Sequence, residues 1–241
     1  MNETHSIVIG GTRGLGRSLT RVLLERGDQV SIVARTAAGD RSFTADICEP
    51  SQLQRALVQI FGKHKQIDNL IFLQRYRGTG DTWEGEIATS LTATKNAIDK
   101  FLPYFRKGGS IVIVSSIAGE LVADEQDLSY HVAKGGLNQM LRFLAVTLGA
   151  DGIRVNGVSP GIFLQENQKK SSAMQRSREP LWKATTPLGR VGNAEEIARV
   201  IAFLCSNDAS YITGQNIIVD GGLSLRWQGS VAVQLHPRTK K

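Results

Sequence analysis

Residues 129–137 read SYHVAKGGL, which sets Tyr130 four positions before Lys134. A phenol ordinarily holds its proton up to a pKa of about 10, and a nearby ammonium favours the phenolate. Four positions is close to one helical turn, so both side chains fall on one face. The pair reads either as a proton donor with its activator or as two residues that share a face. With 4 Tyr and 11 Lys in 241 residues, the chance of such a pairing at random is not negligible. The elements that position it must decide.

Those elements alternate short apolar runs with amphipathic stretches, the pattern of a parallel sheet covered by helices. Strands are expected at 5–10, 29–34, 41–45, 68–73, 109–115, 153–159 and 216–220. Ile111–Val114 is apolar at every position, as suits a strand buried on both faces. Leu15, Leu19, Val22 and Leu23 recur at helical spacing, and Gly27 stops that helix. AEEIARVIAFLCS at 194–206 is a second amphipathic helix. Only ten residues separate Arg35 from Asp46, too few for a helical crossover. No repeat, low-complexity tract or linker is visible. The expectation is an α/β fold in a single domain, a doubly wound parallel sheet of Rossmann-like type with helices on both faces.

The stretch VIGGTRGLGRSLTRVLL places Gly10, Gly14 and Gly16 between the first strand and the first helix. Glycine permits the tight turn and lets a pyrophosphate approach the backbone. The helix beginning near Leu15 aims free N–H groups at the same phosphate. A carboxylate closing the second strand would bind a ribose 2′-hydroxyl, whereas arginine suits a 2′-phosphate. That strand ends IVART, with Arg35 and no acid, and Arg13 lies inside the glycine turn. Two guanidiniums converging on one dianion favour NADPH/NADP over NAD. Asp46, in TADI after the third strand, is a candidate for the adenine amino group.

Composition excludes several classes. Hydrophobic content of 41% and charged content of 21% are ordinary for a soluble globular protein. No apolar run approaches the ~20 residues that span a bilayer. The first eleven residues carry no basic region or cleavage site, and Cys48 and Cys205 lack metal-ligand spacing. A reduced cytoplasmic protein with no metal and no membrane partner is expected. The formal net charge of +7 gathers in two places. One is 165–190, where Lys169, Lys170, Arg176, Arg178, Lys183 and Arg190 face only Glu166 and Glu179; the other is the tail, with Arg226, Arg238, Lys240 and Lys241. These charges read as a solvated loop and terminus, or as a mouth that attracts an anionic ligand. No aromatic platform is interleaved with them, so no nucleic acid is expected.

With the turn at 10–16, IVIVSSIAG at 111–119, YHVAK at 130–134, RVNGVSPG at 154–161 and the ending at 187–222, the chain resembles the short-chain dehydrogenase/reductase family over residues 5–222. The resemblance implies that Tyr130 protonates a carbonyl oxygen while hydride arrives from the nicotinamide. Lys134 would lower the phenol's pKa and bind the nicotinamide ribose, and Ser116 would orient the carbonyl. Ser115 takes that place if the register moves by one. Pro160, Gly161, Ile162 and Phe163 match the segment that meets the carboxamide and exposes the pro-S face. Thr12, Leu15 and Ile47 join Gly10, Arg13, Gly14, Gly16, Arg35 and Asp46 around the cofactor. A homodimer or homotetramer is implied in the same way.

The chain also departs from the family. Phe72, Leu73, Gln74 and Arg75 stand where an Asn-Asn-Ala-Gly motif is usual, which implies a reshaped cofactor wall. Ser90 replaces an asparagine whose backbone holds a water in the proton relay, and Gln165 replaces a threonine. The tail after Gly222, with Trp227 and the alternating VAVQL, reads as an edge contact with another subunit or as disorder. Two functions are compatible with these changes. One is an NADPH-dependent carbonyl reductase or the reverse alcohol dehydrogenase, acting on a small-molecule or carrier-bound carbonyl such as a 3-oxoacyl thioester or another anionic substrate. The other is an NADPH-binding sensor or assembly subunit with little turnover.

Overall fold

Strands that are apolar on both sides need cover on both faces, and the chain provides it by crossing over with helices. The computed structural model describes residues 3–164 and 173–235. Strands β1 (His5–Ile9), β2 (Gln29–Ala34), β3 (Ser42–Thr44), β4 (Ile67–Phe72), β5 (Phe105–Val114) and β6 (Arg154–Pro160) belong to one sheet. The short β7 (Phe163–Leu164) and β8 (Gly192–Asn193) pair with each other, and β9 (Asn216–Val219) returns to the main sheet. Its order is β3-β2-β1-β4-β5-β6-β9, and every pairing is parallel. No helix intervenes between β2 and β3, as the short connection requires.

Alternation along the strands divides the core in two. Ile7, Ile9, Phe72, Ile111 and Ile113 point toward α2 (Pro50–Lys63), α4 (Ala93–Phe101) and α5 (Leu128–Leu148), where they meet Leu57, Ile60, Phe101, Leu137 and Leu141. Val8, Ile32, Ile71, Val112 and Val158 point the other way, onto Leu19 and Leu23 of α1 (Leu15–Glu25) and Ile197 and Ile201 of α7 (Ala194–Leu204). Helix α1 ends before Gly27, whose φ is 94°. Helix α7 starts in a capping box between Asn193 and Glu196, which satisfies two otherwise orphaned N–H groups.

The sheet order reverses direction between β1 and β4, so loops leave the strand ends on opposite faces and open a crevice there. The tail departs from expectation. VAVQL forms part of helix α8 (Gln228–Leu235) rather than a disordered end, and Gln234 Nε2 donates to Ala184 O at 2.9 Å. Ala184 belongs to α6 (Ala173–Thr185). Lys169, Lys170, Gln165, Arg238, Lys240 and Lys241 lie outside the described residues. Among the described residues, no helix is long and apolar enough to cross a membrane, and no group of three His, Cys, Asp or Glu could hold a metal.

Candidate active site

A cleft of about 610 Å³ opens over the ends of β1, β2, β4, β5 and β6. The glycine turn forms its floor. Gly10 and Gly14 have φ of 88° and 50°, a region that side-chain-bearing residues avoid. A Cβ on Gly16 would collide with Gly10 O and stand 2.7 Å from Gly11 Cα, so only glycine brings α1 this close to the turn. The first turn of α1 contains no acid and no capping side chain, which leaves its positive end open to an anion. Thr12, Arg13, Leu15, Arg35, Asp46 and Ile47 line the same cleft. Asp46 Oδ1 accepts from Cys48 N at 2.9 Å, so that carboxylate also fastens its own turn.

At the far wall, Tyr130 and Lys134 both face the cleft from α5. Lys134 Nζ lies 5.5 Å from the centroid of the Tyr130 ring and donates to Val114 O at 3.1 Å. That acceptor takes one of its three N–H donors. Lys134 is 3% exposed. Burial draws its pKa down to about 8, Glu86 opposes that fall, and Arg75 adds to it. The two serines are told apart by their partners. Ser115 is buried and its Oγ donates to Lys134 O at 3.1 Å. Ser116 sits in the cleft and accepts from Ala118 N at 3.2 Å. Pro160, Gly161, Ile162 and Phe163 close the cleft beside β6. Gly161 has no room for a side chain, since a Cβ there would stand 2.6 Å from Asp220 Cβ.

Ser90 is the one sequence-selected residue that does not line the cleft; its neighbour Thr89 does. It lies in a π-helical turn, Ile87–Thr92, between α3 (Thr82–Glu86) and α4. The Ser90 side chain is fully buried and donates to Glu86 Oε2 at 2.9 Å. Glu86 was not singled out from the sequence, although WEGEIATS puts it one turn before Ser90. Its carboxylate is 5% exposed and acts on Lys134 from α3. Glu86→Gln removes that support, so the Lys134 amine should lose its proton below the present midpoint of about 8, by roughly one unit. An NMR titration of the lysine side chain reads this directly, and an unmoved midpoint would exclude Glu86 as its counter-ion. The sign extends to stability. A lysine whose folded pKa lies below its unfolded value costs stability in full at pH below about 8, and the cost fades toward the ordinary lysine value of 10.5.

After β4, Gln74 and Arg75 line the cleft. Gln74 Nε2 donates to Thr94 Oγ1 at 2.6 Å. Arg75 lies over the Tyr130 ring, 4.6 Å from its centroid, and donates to Gln126 Oε1 at 2.8 Å. His131, next to the tyrosine, is turned away into a loop clasp. Its Nε2 accepts from Ala123 N at 2.9 Å and its Nδ1 meets Asp127 O at 2.9 Å.

A family model described as enoyl-(acyl carrier protein) reductase matches residues 11–224. The chain is 30% identical to a 3-oxoacyl-[acyl-carrier-protein] reductase of Chlamydia pneumoniae, over 90% of this chain and 96% of that protein. It is 45% identical to an L-rhamnose 1-dehydrogenase (NAD(P)(+)) of a Sphingomonas species, over 50% of this chain and 47% of the other. The ligand-free aldohexose dehydrogenase of Thermoplasma acidophilum shares the fold, with a TM-score of 0.83, 23% identity and coverage of 99% and 97%. Sheet order, glycine turn and these matches lead to one conclusion: the chain belongs to the short-chain dehydrogenase/reductase family of oxidoreductases, which work with a nicotinamide cofactor.

Proposed function

We propose that the protein is an NADPH-dependent carbonyl reductase, or the matching alcohol dehydrogenase, with Tyr130, Lys134 and Ser116 as its catalytic residues. The observation that carries this reading is Tyr130 and Lys134 facing one glycine-floored cleft, 5.5 Å from ring centroid to Nζ. The cofactor fits the residues present: a turn without room for a Cβ at Gly16, an open helix terminus, and a cleft reaching from Arg13 and Arg35 to Tyr130. Bound there, it would supply or accept the hydride. Gly10, Gly14 and Gly16 admit the pyrophosphate, and Arg13 and Arg35 favour a 2′-phosphate. Asp46 suits the adenine amino group, with Thr12, Leu15 and Ile47 beside it. Pro160–Phe163 borders the nicotinamide end. The two remaining N–H donors of Lys134 suit a ribose diol. Ser116 orients the substrate carbonyl, and Tyr130 Oη gives its proton to the carbonyl oxygen as the alcohol forms. Ser90 keeps the π turn rather than touching substrate.

A 3-oxoacyl thioester is the first substrate class to test, since the Chlamydia relative reduces that group by name. An aldose is the second, from the rhamnose dehydrogenase likeness. A homodimer or homotetramer is supported by Leu128, Val132, Phe143 and Val146, apolar and exposed along α5. The assay offers acetoacetyl thioester, simple ketones, L-rhamnose and other aldoses with each of NADPH, NADP, NADH and NAD. NADPH oxidation with a carbonyl substrate is expected. Tight NADPH binding with no turnover across the panel would replace this reading with that of a cofactor-binding sensor.

A further inference from the structure

Arg75 lies just past the end of β4, and its position is doubly secured. The guanidinium is held at its far end by Gln126, 2.8 Å away. The backbone is held by the next residue. The Tyr76 ring packs against Gly78 and Gly85 so closely that a Cβ on either would overlap it. The loop after β4 is thereby pinned to α3, and Arg75 is carried across the cleft onto the face of Tyr130, 4.6 Å from the ring centroid. A cation over an aromatic face is attracted by the ring's electrons, and the attraction grows when the ring carries the phenolate charge.

We propose that Arg75 is a positioning residue for the Tyr130 phenol, holding the ring in register and favouring its ionised form with a charge that does not titrate. This rests on the carbonyl-reductase reading only for its catalytic consequence; the interaction itself belongs to the protein alone. Lys134, the other cation beside the ring, gives up its charge near pH 8. Arginine stays charged throughout the working range. The other charged or titratable groups at this site are His131 on α5, Glu86 on α3 acting through Lys134, and Glu125 and Arg77 lining the cleft. Of these, only Arg75 and Lys134 have a cationic centre against the face of the ring. Arg75 is exposed, which limits the size of the effect.

The test is a spectrophotometric tyrosinate titration, taking the difference between each protein and its own Tyr130→Phe partner so that only this phenol is read. Arg75→Gln is expected to raise the midpoint, and Arg75→Lys to restore most of the shift. In turnover, the rising limb of kcat/KM for alcohol oxidation should move upward by the same amount while the plateau holds. A purely structural arginine would instead lower activity equally at every pH. Identical midpoints in wild type and Arg75→Gln overturn the proposal, whatever the activity. A raised midpoint in a protein that turns over no substrate leaves it standing and overturns the carbonyl-reductase reading. Circular dichroism and thermal melts of both variants guard against misfolding. If Arg75→Gln does not fold, Gln126→Ala, which frees the guanidinium, should give a smaller upward shift; no shift there also overturns it.

Discussion

Tyr130→Phe should lower kcat/KM for carbonyl reduction by about 10³-fold, within the range usual for loss of a general acid, while NADPH affinity stays within twofold. Phenylalanine keeps the ring beneath Arg75 and the packing of α5, but removes the hydroxyl proposed to give its proton to the carbonyl oxygen. The loss should fall on kcat and kcat/KM together, as expected when an interaction exists only in the transition state. Steady-state kinetics with the best substrate of the panel, and a fluorescence titration with NADPH, check both halves. Substantial residual turnover would mean that water or another residue supplies the proton, and the role given to Lys134 would go with it.

The second large effect concerns cofactor choice. Arg13→Ala with Arg35→Asp should weaken NADPH binding by about 10²-fold, the equivalent of ~3 kcal/mol for two charge-assisted contacts. NADH should weaken little or bind better, because an aspartate ending β2 can accept from both ribose hydroxyls. Both arginines are exposed, so the NADPH loss should shrink as salt is raised. Titrations with both cofactors at fixed ionic strength decide it. Equal weakening of NADPH and NADH would place the arginines on the pyrophosphate, which the two cofactors share, and remove the argument for NADPH.

Much of this protein is written locally. Strands β1, β2, β4 and β9 and the second half of β5 follow from runs rich in apolar residues, and α1 and α7 follow from helical spacing, with Gly27 as the end signal of α1. The glycine turn is legible because backbone geometry forces the residue type, and the Tyr130–Lys134 pair because one helix carries both. VAVQL is less legible. Five residues with a single polar position set neither a helical nor a strand period, and the segment is a helix beside Ala184.

The charges that set the chemistry arrive from elsewhere in the chain. Arg75 reaches Tyr130 from 55 residues away, and Glu86 acts on Lys134 from another helix. Ser115 and Ser116 are indistinguishable by type and both line the cleft, yet Ser115 donates to the Lys134 carbonyl and Ser116 accepts from Ala118 N. Periodicity records which face of an element is buried, so the sequence alone determined the sheet, its turn and the reactive pair. It holds no record of which side chains converge once those elements pack, and electrostatic interactions act through space rather than along the chain. The surroundings of the phenol were therefore decided by the tertiary structure alone.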